Sequence, residues 1–119
     1  MSEKCPQKII IMADYSADAY AWDFETGVMI TPLLDYFPND LQLAAIELDL
    51  TKWCEWFDRD VDPFTDNKQF PWNDFHKQGR ALAQELAKIM SQHGIEVYYQ
   101  LPFEDPKGKD SEPQRINAM

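Results

Sequence analysis

Apolar residues along the chain follow a strand-like pattern at its two ends and a helical period in the middle. Lys8–Ala13 (KIIIMA) is a short unbroken apolar run rich in β-branched residues, which predicts a strand buried on both faces. Ile95–Leu101 (IEVYYQL) predicts the other main strand through its β-branched and aromatic content. After the first strand, Glu25-Thr26-Gly27 reads as a turn, and Ala19–Asp23 with Val28–Ile30 would flank it as a short hairpin. Thr31-Pro32 then opens a short helix over Leu33–Phe37, which Pro38 ends.

Two long helices follow. Asn39 with Gln42 three residues on matches a capping box. From Asp40 to about Arg59, Leu43, Ile46, Leu50, Trp53 and Phe57 recur at helical spacing, with Leu41, Ala45 and Leu48 in an adjacent row. The two rows together predict a broad apolar face and a largely buried helix. The next helix starts near Pro71–Asn73 and carries Phe75, Gly79, Leu82, Leu86 and Ile89 as its inner stripe. Gly94 is placed to close it in a left-handed cap, with Ile95 as the hydrophobic contact.

Strand, hairpin, short helix, two long helices and strand make an α+β chain. The expected architecture is a two-layer domain: a small sheet packed on one face by two long helices plus a short helix. Strand order and direction stay open. At 119 residues the chain has room for one core. The globular domain is expected over residues 1–105, and the polar, Pro-rich segment 106–119 is expected to be a disordered tail.

Charge changes the picture more than composition does. Of 21 acidic and 11 basic residues, fourteen acidic and four basic lie in residues 1–66, so the first half carries the whole net charge of −10. Such a field repels nucleic acid and anionic membrane and speeds encounter with a cationic partner. The plain alternative is a solubilising surface. The N-terminus lacks a secretory pattern and no run is long enough to span a bilayer, so the chain is expected to be cytoplasmic. Cys5 and Cys54 fit that compartment as free thiols, with Cys54 a small hydrophobe in an apolar helical run.

The carboxylates gather in two stretches. Asp14, Asp18, Asp23 and Glu25 follow the first strand, where α/β layers often carry a functional edge. Asp58, Asp60, Asp62 and Asp66 lie among Trp56, Phe57, Phe64, Phe70 and Trp72. Exposed, such aromatics would grip a cationic protein surface; folded inward, they anchor the loop on the core, the usual fate of large aromatics at helix ends. Asp58–Gln69 resembles a calcium loop in its Asp spacing, yet Pro63 replaces the glycine and Gln69 the bidentate Glu that such a loop demands. No metal site is therefore expected. His76 and His93 are too far apart on one helix to share an ion. No phosphate loop or nucleophile elbow accompanies the carboxylates, so no cofactor and no enzymatic activity are expected.

Three segments carry a family resemblance: ADYSADAYAWD at Ala13–Asp23 with Gly27, the helix end TKWCEWFD, and WNDFHKQGRALAQEL. Together they resemble the small acidic bacterial immunity proteins of contact-dependent and polymorphic toxin systems. That resemblance implies a neutralising partner rather than a reaction: a cognate basic toxin domain, expected to be a nuclease because such toxins often are. It identifies no toxin-contacting residues. The charge pattern is compatible, since a small acidic protein can cover a basic surface built to hold phosphate. The expected partner-binding residues are Asp14, Asp18, Asp23, Glu25, Asp58, Asp60, Asp62 and Asp66. The alternatives are a regulatory or adaptor protein for another basic protein, and a small enzyme using Asp14, Asp18 or Asp23. Oligomeric state is not legible.

Overall fold

The computed structural model describes residues 5–16, 18–108 and 111–117. It is an α+β two-layer fold with strands β1 (Lys8–Ile11), β2 (Ala21–Asp23), β3 (Glu96–Tyr99) and β4 (Gln114–Ile116). A 3₁₀ turn (Leu33–Asp35) precedes helices α1 (Leu41–Asp60) and α2 (Trp72–Ser91). The sheet order is β2-β1-β3-β4, with β1 and β3 parallel at its centre and the two edge strands antiparallel to them. No helix among the described residues is long and apolar enough to cross a membrane.

Register explains the layering. Ile9 pairs with Val97 and Ile11 with Tyr99, and all four side chains are buried on the helix side. Lys8, Ile10, Glu96 and Tyr98 alternate with them on the other face and stay half-buried. The first strand was expected to be buried on both faces; it is buried on one, because both helices share the same side of the sheet. The predicted hairpin is present, closed by Asp23 N–H to Val28 O (2.8 Å) and Ile30 N–H to Ala21 O (3.1 Å).

The predicted inner row of α1 is buried throughout: Leu43, Ile46, Leu50, Trp53 and Phe57. Its second row is not. Leu41 and Leu48 are 84% and 59% exposed, and Ala45 is exposed with them, because α2 covers only one side of α1. The N-cap is Asp40 rather than Asn39, its carboxylate accepting from Leu43 N–H at 3.0 Å. Gly94 closes α2 at φ +74°, in the left-handed region that glycine enters without cost, and Ile95 N–H bonds back to Met90 O.

The tail prediction fails in part. Gln114–Ile116 pair with β3, and Ile116 packs against the core, so part of the segment 106–119 is a sheet edge. Three residues of strand within a polar, Pro-rich stretch give too little alternation to register in the sequence. Lys109, Asp110, Ala118 and Met119 of that predicted tail lie outside the described residues.

Candidate functional site

Because β1 and β3 are parallel, their carboxyl ends lie side by side. The antiparallel course of the helices brings the end of α1 and the start of α2 to that same end of the molecule. Three loops therefore converge, the one after β1, the one between the helices and the one after β3, beside the first turn of α2. Ligands in α/β layers bind outside the carboxyl ends of the strands.

This convergence joins part of the two acidic stretches. Tyr15, whose ring lies 5.1 Å from that of Phe57, has its phenol pushed up by burial, then by the Glu104 carboxylate, and more weakly by Asp14 and Asp62. Asp14 and Asp58 both act on the Cys54 thiol. Asp60 pairs with Arg59 at 3.1 Å and Asp66 with Lys68 at 3.7 Å, both on the exposed rim. Asp62 and Asp66 cap short turns, accepting from Phe64 N–H (2.8 Å) and Lys68 N–H (3.2 Å).

Not every predicted binding residue joins this end. Asp23 sits opposite Ile9, at the start of β1 rather than its finish, and its carboxylate accepts from Glu25 and Thr26 N–H in the hairpin turn. Asp23 and Glu25 are thus separated from Asp14 by the length of β1. Asp18 is exposed on the loop after β1, where its carbonyl accepts from Thr31 Oγ1. The three carboxylates of the enzyme alternative, Asp14, Asp18 and Asp23, do not converge on one point.

The aromatics divide. Trp56, Phe57, Phe70 and Trp72 pack around Phe75 with ring centroids 5.3 to 6.0 Å from it. Phe64 stays outside at 93% exposure, and Phe103 on the facing loop is 71% exposed. Pro63, Thr65, Asp66, Lys68, Phe103, Glu104, Asp105 and Pro106 line a groove of about 420 Å³ between these two loops.

Behind the groove lies a buried polar chain. His76 Nε2 is 2.6 Å from Asp105 Oδ2, and its Nδ1 is 2.7 Å from the Tyr99 hydroxyl. A carboxylate only accepts, so Nε2 carries the proton and Nδ1 of the neutral ring accepts from Tyr99. Burial holds the imidazole below its ordinary value, more than the Asp105 carboxylate raises it. The other Asp105 oxygen accepts from Lys107 N–H at 2.8 Å, so the carboxylate is satisfied on both sides. The chain therefore fastens the loop after β3 to the first turns of α2. Arg80 covers the Tyr99 ring at 5.3 Å, and Trp72 stacks on His76.

Two further groups belong to the framework. The Glu47 carboxylate is buried and accepts from Leu33 N–H (2.7 Å), Leu34 N–H (2.5 Å) and the Tyr20 hydroxyl, holding the 3₁₀ turn on α1. The Cys54 Sγ lies 3.1 to 3.5 Å from the carbonyls of Asp14, Ser16 and Ala19, with Ser16 O the nearest acceptor for its single S–H. Burial pushes that thiol up to about 11, which keeps it protonated and unreactive. His76 is bonded elsewhere, so the two form no nucleophile–base pair. No group of three or more His, Cys, Asp or Glu among the described residues is arranged to hold a metal.

Comparison of the chain with protein-family models, curated proteins and solved structures returns no match. The candidate site therefore stands on geometry. Sequence reasoning missed Phe103, Glu104 and Asp105, which fell between the last predicted strand and the predicted tail. Asp105 and His76 are 29 residues apart, and nothing local marks them as partners.

Proposed function

We propose that this protein is an immunity protein that binds and blocks a cognate basic toxin domain, expected to be a nuclease. The observation that carries the reading is the gathering of Asp14, Asp58, Asp62 and Glu104 at the strand-carboxyl end, with Phe64 and Phe103 exposed beside them. Carboxylates steer a cationic surface in, and exposed aromatics supply the apolar contact that slows its release. A rigid backing keeps both in place. The sequence resemblance points to the same class of partner.

The test compares two triple reversals. Asp58, Asp60 and Asp62 to Lys removes charge at the proposed binding end. Glu25, Asp49 and Glu85 to Lys removes as much elsewhere, and each variant moves the net charge from −10 to −4. Cells expressing the candidate toxin, taken as the product of the gene neighbouring this protein's own, are scored for survival, and association rates are measured at two ionic strengths. The first variant should lose protection and most of its salt-dependent association, while the second keeps protection. Protection retained by the first and lost by the second would place the interface elsewhere. A wild type that neither binds nor protects against that toxin would end the immunity reading.

A further inference from the structure

The groove between the 61–68 and 101–106 loops has a chemistry more specific than acidity. Glu104 lines it, half-buried, with no ion-pair partner among the described residues. Its acidic neighbours already face charges or donors, Asp105 through His76 and Lys107 N–H and Asp66 through Lys68, whereas Glu104 faces the neutral Tyr15 phenol and no cation among the described residues. The walls beside Glu104 are apolar, formed by Pro63, Pro106 and the exposed ring of Phe103, with Phe64 projecting next to Pro63. A carboxylate partly withdrawn from water and lacking a cation is costly unless a partner supplies one.

We infer that this groove seats a single arginine side chain of the partner protein, its guanidinium on Glu104 and against the Phe103 ring. This rests on the reading of the protein as a binder of a basic partner, and it names the contact that anchors that partner. Guanidinium fits better than ammonium here. Its planar fork meets a carboxylate through two parallel hydrogen bonds, it stacks on aromatic faces, and it is less strongly hydrated. At about 420 Å³ the groove lies within the range of ligand-sized clefts. The His76–Asp105 bond fixes the residue next to Glu104, so the backbone that carries Glu104 is held before the partner arrives.

The experiment uses three short peptides, acetyl-Gly-Leu-Xaa-Leu-Gly-amide with arginine, citrulline or lysine at Xaa, titrated into the full chain while backbone amide resonances are followed. The arginine peptide should shift the amides of Thr65, Asp66, Phe103 and Glu104, and citrulline, which keeps the shape and loses the charge, should not. Glu104→Gln and Phe103→Ala should each weaken arginine binding by roughly tenfold, the scale of one charge-assisted bond or one hot-spot aromatic. Equal binding of citrulline or lysine would overturn the assignment, as would shifts spread over the hairpin turn and the α1 surface. The same two variants are then tested for protection against the toxin. Protection unchanged in both, with the Asp58/Asp60/Asp62 reversal still harmful, would refute the arginine seat and leave the immunity reading standing. Arginine-selective binding in a wild type that protects against nothing would do the reverse.

Discussion

Replacing Gly79 with alanine sets two physical rules against each other. In the interior of a helix, Ala is favoured over Gly by about 1 kcal/mol, so propensity alone predicts a more stable protein. The structure predicts the opposite. A Cβ at position 79 would lie 2.5 Å from Trp53 Cζ2, 2.8 Å from Trp53 Cε2 and 2.7 Å from the Tyr99 hydroxyl. Carbon atoms pack at about 3.5–4.0 Å, so the indole must retreat by roughly 1 Å. It has nowhere easy to go, being stacked on Phe75 at 4.5 Å and bonded through Nε1 to Phe75 O at 3.0 Å. Overpacking of this kind costs about 1–3 kcal/mol, and displacing the Tyr99 hydroxyl would leave His76 Nδ1 without its donor, a further ~1–3 kcal/mol. Net of propensity, Gly79→Ala should destabilise by about 1–5 kcal/mol. Urea midpoints and thermal melts measure this, and the melting temperature should drop by on the order of 10 °C. Trp53→Phe relieves part of the clash, so the double variant should be less destabilised than the sum of the singles. A Gly79→Ala protein as stable as wild type would refute the packing described for Trp53 and Tyr99.

Glu47→Ala should cost about 3 kcal/mol or more, since it strands the Leu33 and Leu34 amides and the Tyr20 hydroxyl in a buried setting; urea unfolding measures it. The His76 ring takes its proton at 6.5 in the unfolded chain and only at lower pH when folded, so the unfolded state binds more protons between those values. Stability should be fully present above pH 6.5 and fall as acid is added through that window, and His76→Gln should flatten the slope of the urea midpoint there. A slope that persists in the variant would show another group titrates. Ile116→Asp should destabilise by about 1–2 kcal/mol if β4 docks, read from the same melts; no change would mean the strand contributes nothing.

How much was legible follows from the range of each interaction. The helices and main strands were readable because period and capping act over a few residues. Trp53, Phe57 and Phe75 announced themselves as core by spacing alone. Leu41 and Leu48 carry the same spacing and are exposed, because helical period shows which residues share a face and not whether a neighbour covers it. The acidic end was half readable. Asp14, Asp58 and Asp62 were identified as charges, but only the parallel pairing of β1 with β3 brings Glu104 beside them. Asp23 and Glu25 had equal claim by sequence, and the hairpin carries them to the opposite end.

The arrangement divides labour between the two ends of the fold. At the start of β1, the hairpin and the Glu47 carboxylate spend their polar groups on the backbone: Asp23 accepts from turn amides, and Glu47 holds the 3₁₀ turn. At the finish of β1 and β3, His76 is satisfied by Tyr99 and Asp105 and the Cys54 thiol lies against backbone carbonyls, whereas the buried Tyr15 hydroxyl has no hydrogen-bond partner among the described residues. Among the described residues, carboxylates without an ion-pair partner there lie one layer further out, on Asp14, Asp58 and Glu104. A carboxylate that only solubilises gains nothing from a rigid loop. Glu104 instead adjoins Asp105, which a buried histidine locks to a helix. Rigidity under an unpaired charge lowers the entropy lost when a cation binds, which is what the proposed interface would gain from it.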